Sequence, residues 1–132
     1  MEKFTHIRWE PRYSVHVDML DEQHQKLFEI VNRLMDIHDT VSDELYPVIV
    51  DLVDFVFNHF RDEQMVMMKF NYPGFASHCE SHGNFIEKVQ DFLKRYKEND
   101  EHLTVEMIVF LRDWIFTHTT LVDSNYGTYL YK

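Results

Sequence analysis

Residues 45–70 read LYPVIVDLVDFVFNHFRDEQMVMMKF, and their periodicity decides the fold. Leu45, Ile49, Leu52, Val56, His59, Glu63, Met67 and Phe70 recur every three or four residues, so they share one face of a helix. Pro47 falls in or near the first turn, where its missing N–H removes no helical hydrogen bond. Asn71-Tyr72-Pro73-Gly74 then stops the helix and restarts the chain. The stripe is apolar except in its second half, where a histidine and a glutamate four residues apart occupy positions that must face a core.

The same pattern recurs on either side. Leu20, His24, Leu27, Val31 and Leu34 form one stripe, with Asp18 offering an N-cap. Phe75, His78, His82, Phe85, Val89, Phe92 and Tyr96 form another, and Met107, Leu111, Trp114 and His118 a fourth. The polar run Asp39–Asp43 and the pair Asn99-Asp100 supply the turns. The reading predicts helices over about 18–38, 44–70, 75–97 and 103–124, each about 30–40 Å long at 1.5 Å per residue. Short loops make neighbours antiparallel, so the expected fold is all-α, an up-down-up-down four-helix bundle in one domain spanning 1–132. Residues 1–17 carry Phe4, Ile7, Trp9, Tyr13 and Val15 without helical period, and an extended arm covering apolar surface is expected there.

Composition narrows the function. A hydrophobic share of 45% and a charged share of 27% are those of an ordinary globular chain. The net charge is −10 with no basic run, which argues against nucleic acid or an anionic membrane as partner. No apolar run reaches membrane-spanning length, and the first twenty residues lack the apolar segment of a signal peptide. The lone cysteine, Cys79, has no internal disulfide partner and is read as a packing or surface thiol, which fits a cytoplasmic protein.

Seven metal-ligand side chains sit on the stripes or at the end of the last one: His24, His59, Glu63, His78, His82, His118 and Asp123. One histidine on a core stripe is ordinarily a hydrogen-bonded structural residue. Here all four helices carry one, and a carboxylate on such a stripe needs a cation or partner. Five imidazoles and two carboxylates suit two octahedral ions if the carboxylates bridge, and a donor set without thiolate favours iron or manganese over zinc or copper. The five-residue step from His118 to Asp123 turns an ideal helix about 140° too far, so a π-type turn is expected around Thr119–Val122. His6, His16, His38 and His102 lie in the arm or at helix ends, where solvated or locally hydrogen-bonded roles are expected.

With these residues in place, the chain resembles the hemerythrins in their bacterial single-domain form. The likeness rests on Asp21-Glu22-Gln23-His24-Gln25, His59-Phe60-Arg61-Asp62-Glu63, His78-Cys79-Glu80-Ser81-His82 and Trp114-Ile115-Phe116-Thr117-His118. Asp123, Tyr126, Trp9 and the Tyr72-Pro73 turn extend it over nearly the whole chain. The resemblance implies a non-haem di-iron centre: His78, His82 and His118 on one iron, His24 and His59 on the other. Glu63, Asp123 and an oxo or hydroxo group would bridge them. Dioxygen would bind reversibly at the open position of the second iron, taking up two electrons and giving them back on release. An apolar wall of Leu27, Phe60, Met67, Trp114 and Ile115 would exclude water, with Tyr126 a candidate for orienting an imidazole. The expected role is oxygen carriage, storage or delivery rather than catalysis. The competing readings are a di-iron oxidase or peroxidase, an oxygen- or redox-sensing or iron-handling module acting through an unidentified protein partner, and a metal-free bundle. No glutamate has a histidine three residues later, which speaks against the ferritin-like oxidase pattern.

Overall fold

The computed structural model describes residues 4–15, 17–40 and 44–117. Four helices follow a short 3-10 turn at Pro11–Tyr13: α1 (Asp18–Thr40), α2 (Leu45–Lys69), α3 (Phe75–Lys97) and α4 (Leu103–Trp114). The first helix runs two residues past its expected end, and the second begins one residue later and ends one earlier than expected. At residues 115–117 the chain passes from α4 into π-type geometry, directly ahead of His118. The expected widened turn at Thr119–Val122 lies outside the described residues, as do His16, His118, Asp123 and Tyr126.

Two helix ends follow the same chemistry. After α2, Asn71 takes φ 53, and after α3, Asn99 takes φ 58. Asparagine tolerates this left-handed geometry because its short amide can hydrogen-bond locally. In each case two backbone bonds close the end: Tyr72 N to Met67 O and Asn71 N to Met68 O, then Asp100 N to Arg95 O and Asn99 N to Tyr96 O. These pairs are the six-to-one and five-to-two bonds of a Schellman cap, which satisfy carbonyls the helix leaves bare.

Each helix packs on the next, and α1 closes the ring on α4. The register shows that sequence neighbours run antiparallel. Arg33 pairs with Asp51 while Gln23 bonds Asp62. Tyr46 meets Tyr96 while Gln64 meets His82, and Arg95 pairs with Glu106 while Phe85 meets Trp114. The chain is therefore an all-α four-helix bundle. No described helix is long and apolar enough to cross a membrane.

The arm runs back along α1. Phe4 N donates to the Asp39 carboxylate at 3.1 Å, and Ile7 and Asn32 exchange two bonds of 2.9 Å each. His6 reaches across to Asp36 on α1, whereas His38 pairs locally with its neighbour Asp39, as expected. The arm is not extended throughout: Pro11, with its fixed φ, starts the 3-10 turn, and the buried Asp21 then gathers the Ser14 hydroxyl and the Val15 N–H.

Two apolar clusters fill the described bundle. The larger joins Leu27, Phe60, Phe85 and Ile115 with many others from all four helices, and the smaller joins Val15, Leu20 and Met67. Between Leu20 and Leu27 comes His24, and between Phe60 and Met67 comes Glu63. One helical turn separates each polar residue from its apolar neighbours, so a polar belt divides the two clusters.

Candidate metal centre

The belt is built from α1, α2 and α3. The four-residue steps His59 to Glu63 and His78 to His82 put each pair on one helix face, and the antiparallel register brings those faces level. His24, His59, Glu63, His78 and His82 are all buried, with Glu63 at 0% exposure. Four Nε2 atoms converge on one carboxylate. His78 and His82 face Glu63 Oε1 at 3.2 and 2.9 Å. His24 and His59 face Oε2 at 3.4 and 3.3 Å.

Two donor trios result, His24-His59-Glu63 and Glu63-His78-His82, each with its donor atoms within 4.8 Å of one another. Glu63 Oε2 is buried and makes no hydrogen bond among the described residues. The Nε2 atoms of His24 and His59 face each other at 3.1 Å. A buried carboxylate oxygen beside two converging ring nitrogens is an arrangement that a cation would satisfy. The donors, imidazole and carboxylate without thiolate, suit iron. Burial alone pushes the Glu63 carboxyl upward and is the largest single influence, but the imidazoles, His59 foremost, together hold it well below the usual carboxylate range.

The far sides of the rings are also held. His59 Nδ1 lies 2.8 Å from Gln23 Oε1, and His82 Nδ1 lies 2.9 Å from the Gln64 amide. Phe60 stacks on the His82 ring with centroids 3.8 Å apart at 4°, and Phe55 stacks on His59 at 4.9 Å and 14°. The sequence pattern assigns neither glutamine a role, although Gln23 stands in one of the motifs quoted above. Their only signal there is adjacency, Gln23 preceding His24 and Gln64 following Glu63.

Of the seven expected ligands, five come together, and His118 and Asp123 lie outside the described residues. The expected wall divides. Leu27, Phe60 and Ile115 are buried in the larger cluster, and the half-buried Trp114 packs on Phe60 and Phe85 at 6.1 and 4.6 Å. Met67 instead packs with Val15 and Leu20, because it lies one turn beyond Glu63 whereas Phe60 lies one turn before it. Cys79, beside His78, is half-buried and unpaired with another cysteine.

Known proteins are similar to this chain in sequence and in fold. The hemerythrin HHE cation-binding domain family matches residues 15–130. A bacteriohemerythrin of Methylococcus capsulatus is 30% identical over 119 residues, covering 87% of this chain and 88% of its own. One of Clostridium acetobutylicum is 27% identical over 124 residues, covering 89% and 96%. A crystal structure of wild-type hemerythrin superposes with TM-score 0.77 at 28% identity over 92% of this chain and 95% of its own, and one of a point mutant gives 0.81 at 27% over the same shares. With the family matched from the end of the arm almost to the C-terminus, and with a buried histidine–glutamate belt able to hold metal, this chain belongs to the hemerythrin family of non-haem di-iron, oxygen-binding proteins, in its bacterial form.

Proposed function

We propose that this chain, acting as one hemerythrin domain, binds dioxygen reversibly at two irons held by His24, His59, Glu63, His78, His82, His118 and Asp123. The observation that carries the reading is the division of Glu63: one oxygen faces His78 and His82, the other His24 and His59. A carboxylate shared between two imidazole pairs is the donor pattern of a bridged two-metal site. His118 would join the first pair and Asp123 would be the second bridge, as the family resemblance implies. Bound iron would supply the two electrons that dioxygen takes up and returns.

The protein's own part is to bind, orient and keep dry. Gln23 and the Gln64 amide steady the far nitrogens of His59 and His82, which sets how the rings face Glu63. Phe60, stacked on His82, turns a ring face rather than a polar group toward the centre. Leu27 and Ile115, both fully buried, add apolar bulk that excludes water and the protons it would carry.

The test is spectroscopic. Anaerobically reduced protein is given oxygen and then purged with argon. A visible absorption band that rises with oxygen and falls on purging supports reversible carriage. A direct passage to a stable oxidised spectrum without that band would overturn it.

A further inference from the structure

The Gln23 amide is held at both ends. Its Nε2 donates to Asp62 Oδ2 at 2.8 Å, and its Oε1 accepts from His59 Nδ1 at 2.8 Å. An ionised carboxylate can only accept, so Asp62 decides which end of the amide is nitrogen. The amide oxygen then faces His59, where it can only accept, so the ring must carry its proton on Nδ1. In the neutral ring that leaves the Nε2 lone pair directed at the belt, 3.1 Å from His24 Nε2, which can donate to it, and 3.3 Å from Glu63 Oε2. The other oxygen of Asp62 accepts from Arg61 Nε at 3.2 Å, which anchors the carboxylate itself.

The contrast with Gln64 is informative. Its amide lies 2.9 Å from His82 Nδ1 and makes no second hydrogen bond among the described residues, so nothing there fixes its sense. Asp62, Gln23 and His59 also line one cavity of about 550 Å³ between α1 and α2, and the Asp62 side chain is 19% exposed. The sense of a buried imidazole is thus set from near the surface, through a neutral amide.

We infer that Asp62 is a positioning residue: by accepting from Gln23 Nε2 it fixes the sense of that amide and holds His59 as the Nδ1–H tautomer, with Nε2 open toward Glu63. The inference rests on the reading of His59 as a ligand only for its consequence in iron binding. The tautomer itself belongs to the metal-free protein.

The experiment follows the histidine ring nitrogens by long-range proton–nitrogen correlation in metal-free protein labelled with ¹⁵N-histidine, at a pH where the rings are neutral. In the unaltered chain His59 Nε2 gives the signal of an unprotonated nitrogen. Asp62→Ala lets the amide turn over and gives a mixture of tautomers. Asp62→Asn, whose amide can turn either its oxygen or its NH2 toward Gln23, gives a mixture as well, because only the carboxylate accepts with both oxygens. The decisive variant is the double change Gln23→Glu with Asp62→Ala, in which both oxygens at position 23 accept and the tautomer no longer needs Asp62. After loading with iron, Asp62→Ala should bind about tenfold more weakly in chelator competition, the lower end of the effect of residues that orient metal ligands, and the double variant should recover most of that loss. An unchanged His59 signal in Asp62→Ala, or a mixture that persists in the double variant, would overturn the inference. If the nitrogen signals behave as expected but iron affinity does not move, the role of His59 as ligand is what fails.

Discussion

Removing the Phe60 ring tests packing and chemistry together. The ring is 4% exposed and lies against His82 at 3.8 Å, Phe85 at 5.4 Å, Trp114 at 6.1 Å and Phe55 at 6.3 Å. Phe60→Ala empties that space, and buried phenylalanine-to-alanine changes cost about 3–5 kcal/mol from lost transfer and residual cavity. Phe60→Leu refills most of the volume but loses the ring contacts, of which the closest are worth about 0.5–1.5 kcal/mol each. About 1–2 kcal/mol is therefore expected for leucine. At about 0.05–0.15 kcal/mol per residue, a chain of this length is stable by about 7–20 kcal/mol, so both variants should fold. The assay is urea unfolding of the metal-free protein, since bound metal would add its own stabilisation. In the reduced, oxygenated protein, alanine should then oxidise irreversibly faster than leucine, because the gap it leaves adjoins His82. A cost for alanine below about 1 kcal/mol, or equal oxidation rates in the two variants, would refute the reasoning.

Three further outcomes are expected. Asp21→Ala strips the Ser14 hydroxyl and the buried Val15 N–H of their acceptor, which should cost about 1–3 kcal/mol in urea unfolding, with Asp21→Asn recovering part of it. The backbone N–H of His102, followed by Arg95, holds the Asp100 carboxyl below its ordinary 3.8, and Arg95 holds Glu106 below 4.5. Both folded-state values are depressed, so the stabilisation is complete above the ordinary values and is lost as pH falls through the folded ones. The stability gap between the unaltered chain and Arg95→Leu, followed by thermal melts across pH, should therefore close below about pH 4. Burial pushes the Cys79 thiol up from its ordinary 9.0, so its alkylation at pH 8 should be slower than that of an unperturbed thiol.

The sequence reaches as far as periodicity and local chemistry do. Asn71 and Asn99 end their helices because left-handed backbone is a property of the residue and its immediate neighbours. His24, His59, Glu63, His78 and His82 were visible because a polar group on a core stripe is an anomaly on any single helix. Periodicity gives the face of a residue but not the neighbours that pack on it: Met67 and Phe60 share a stripe, yet Met67 packs with Val15 and Leu20 and Phe60 with Phe85 and Trp114. Gln23, Asp62 and Gln64 were hidden for another reason. They lie off the stripes, where glutamine and aspartate are ordinary, and what they touch depends on how α1, α2 and α3 are rotated against one another. No single helix carries that information.

Glu63 has a consequence for how such a chain can change over generations. Each of its oxygens answers to a different pair of histidines. Shortening it to aspartate would withdraw both by about 1.5 Å, the length of one carbon–carbon bond. Replacing it with glutamine would turn one acceptor into a donor facing ring nitrogens. Even glutamine, which keeps one oxygen facing its pair, removes the charge that both pairs share, so a change at this residue reaches both positions at once. What a single codon joins is inherited whole or lost at one step.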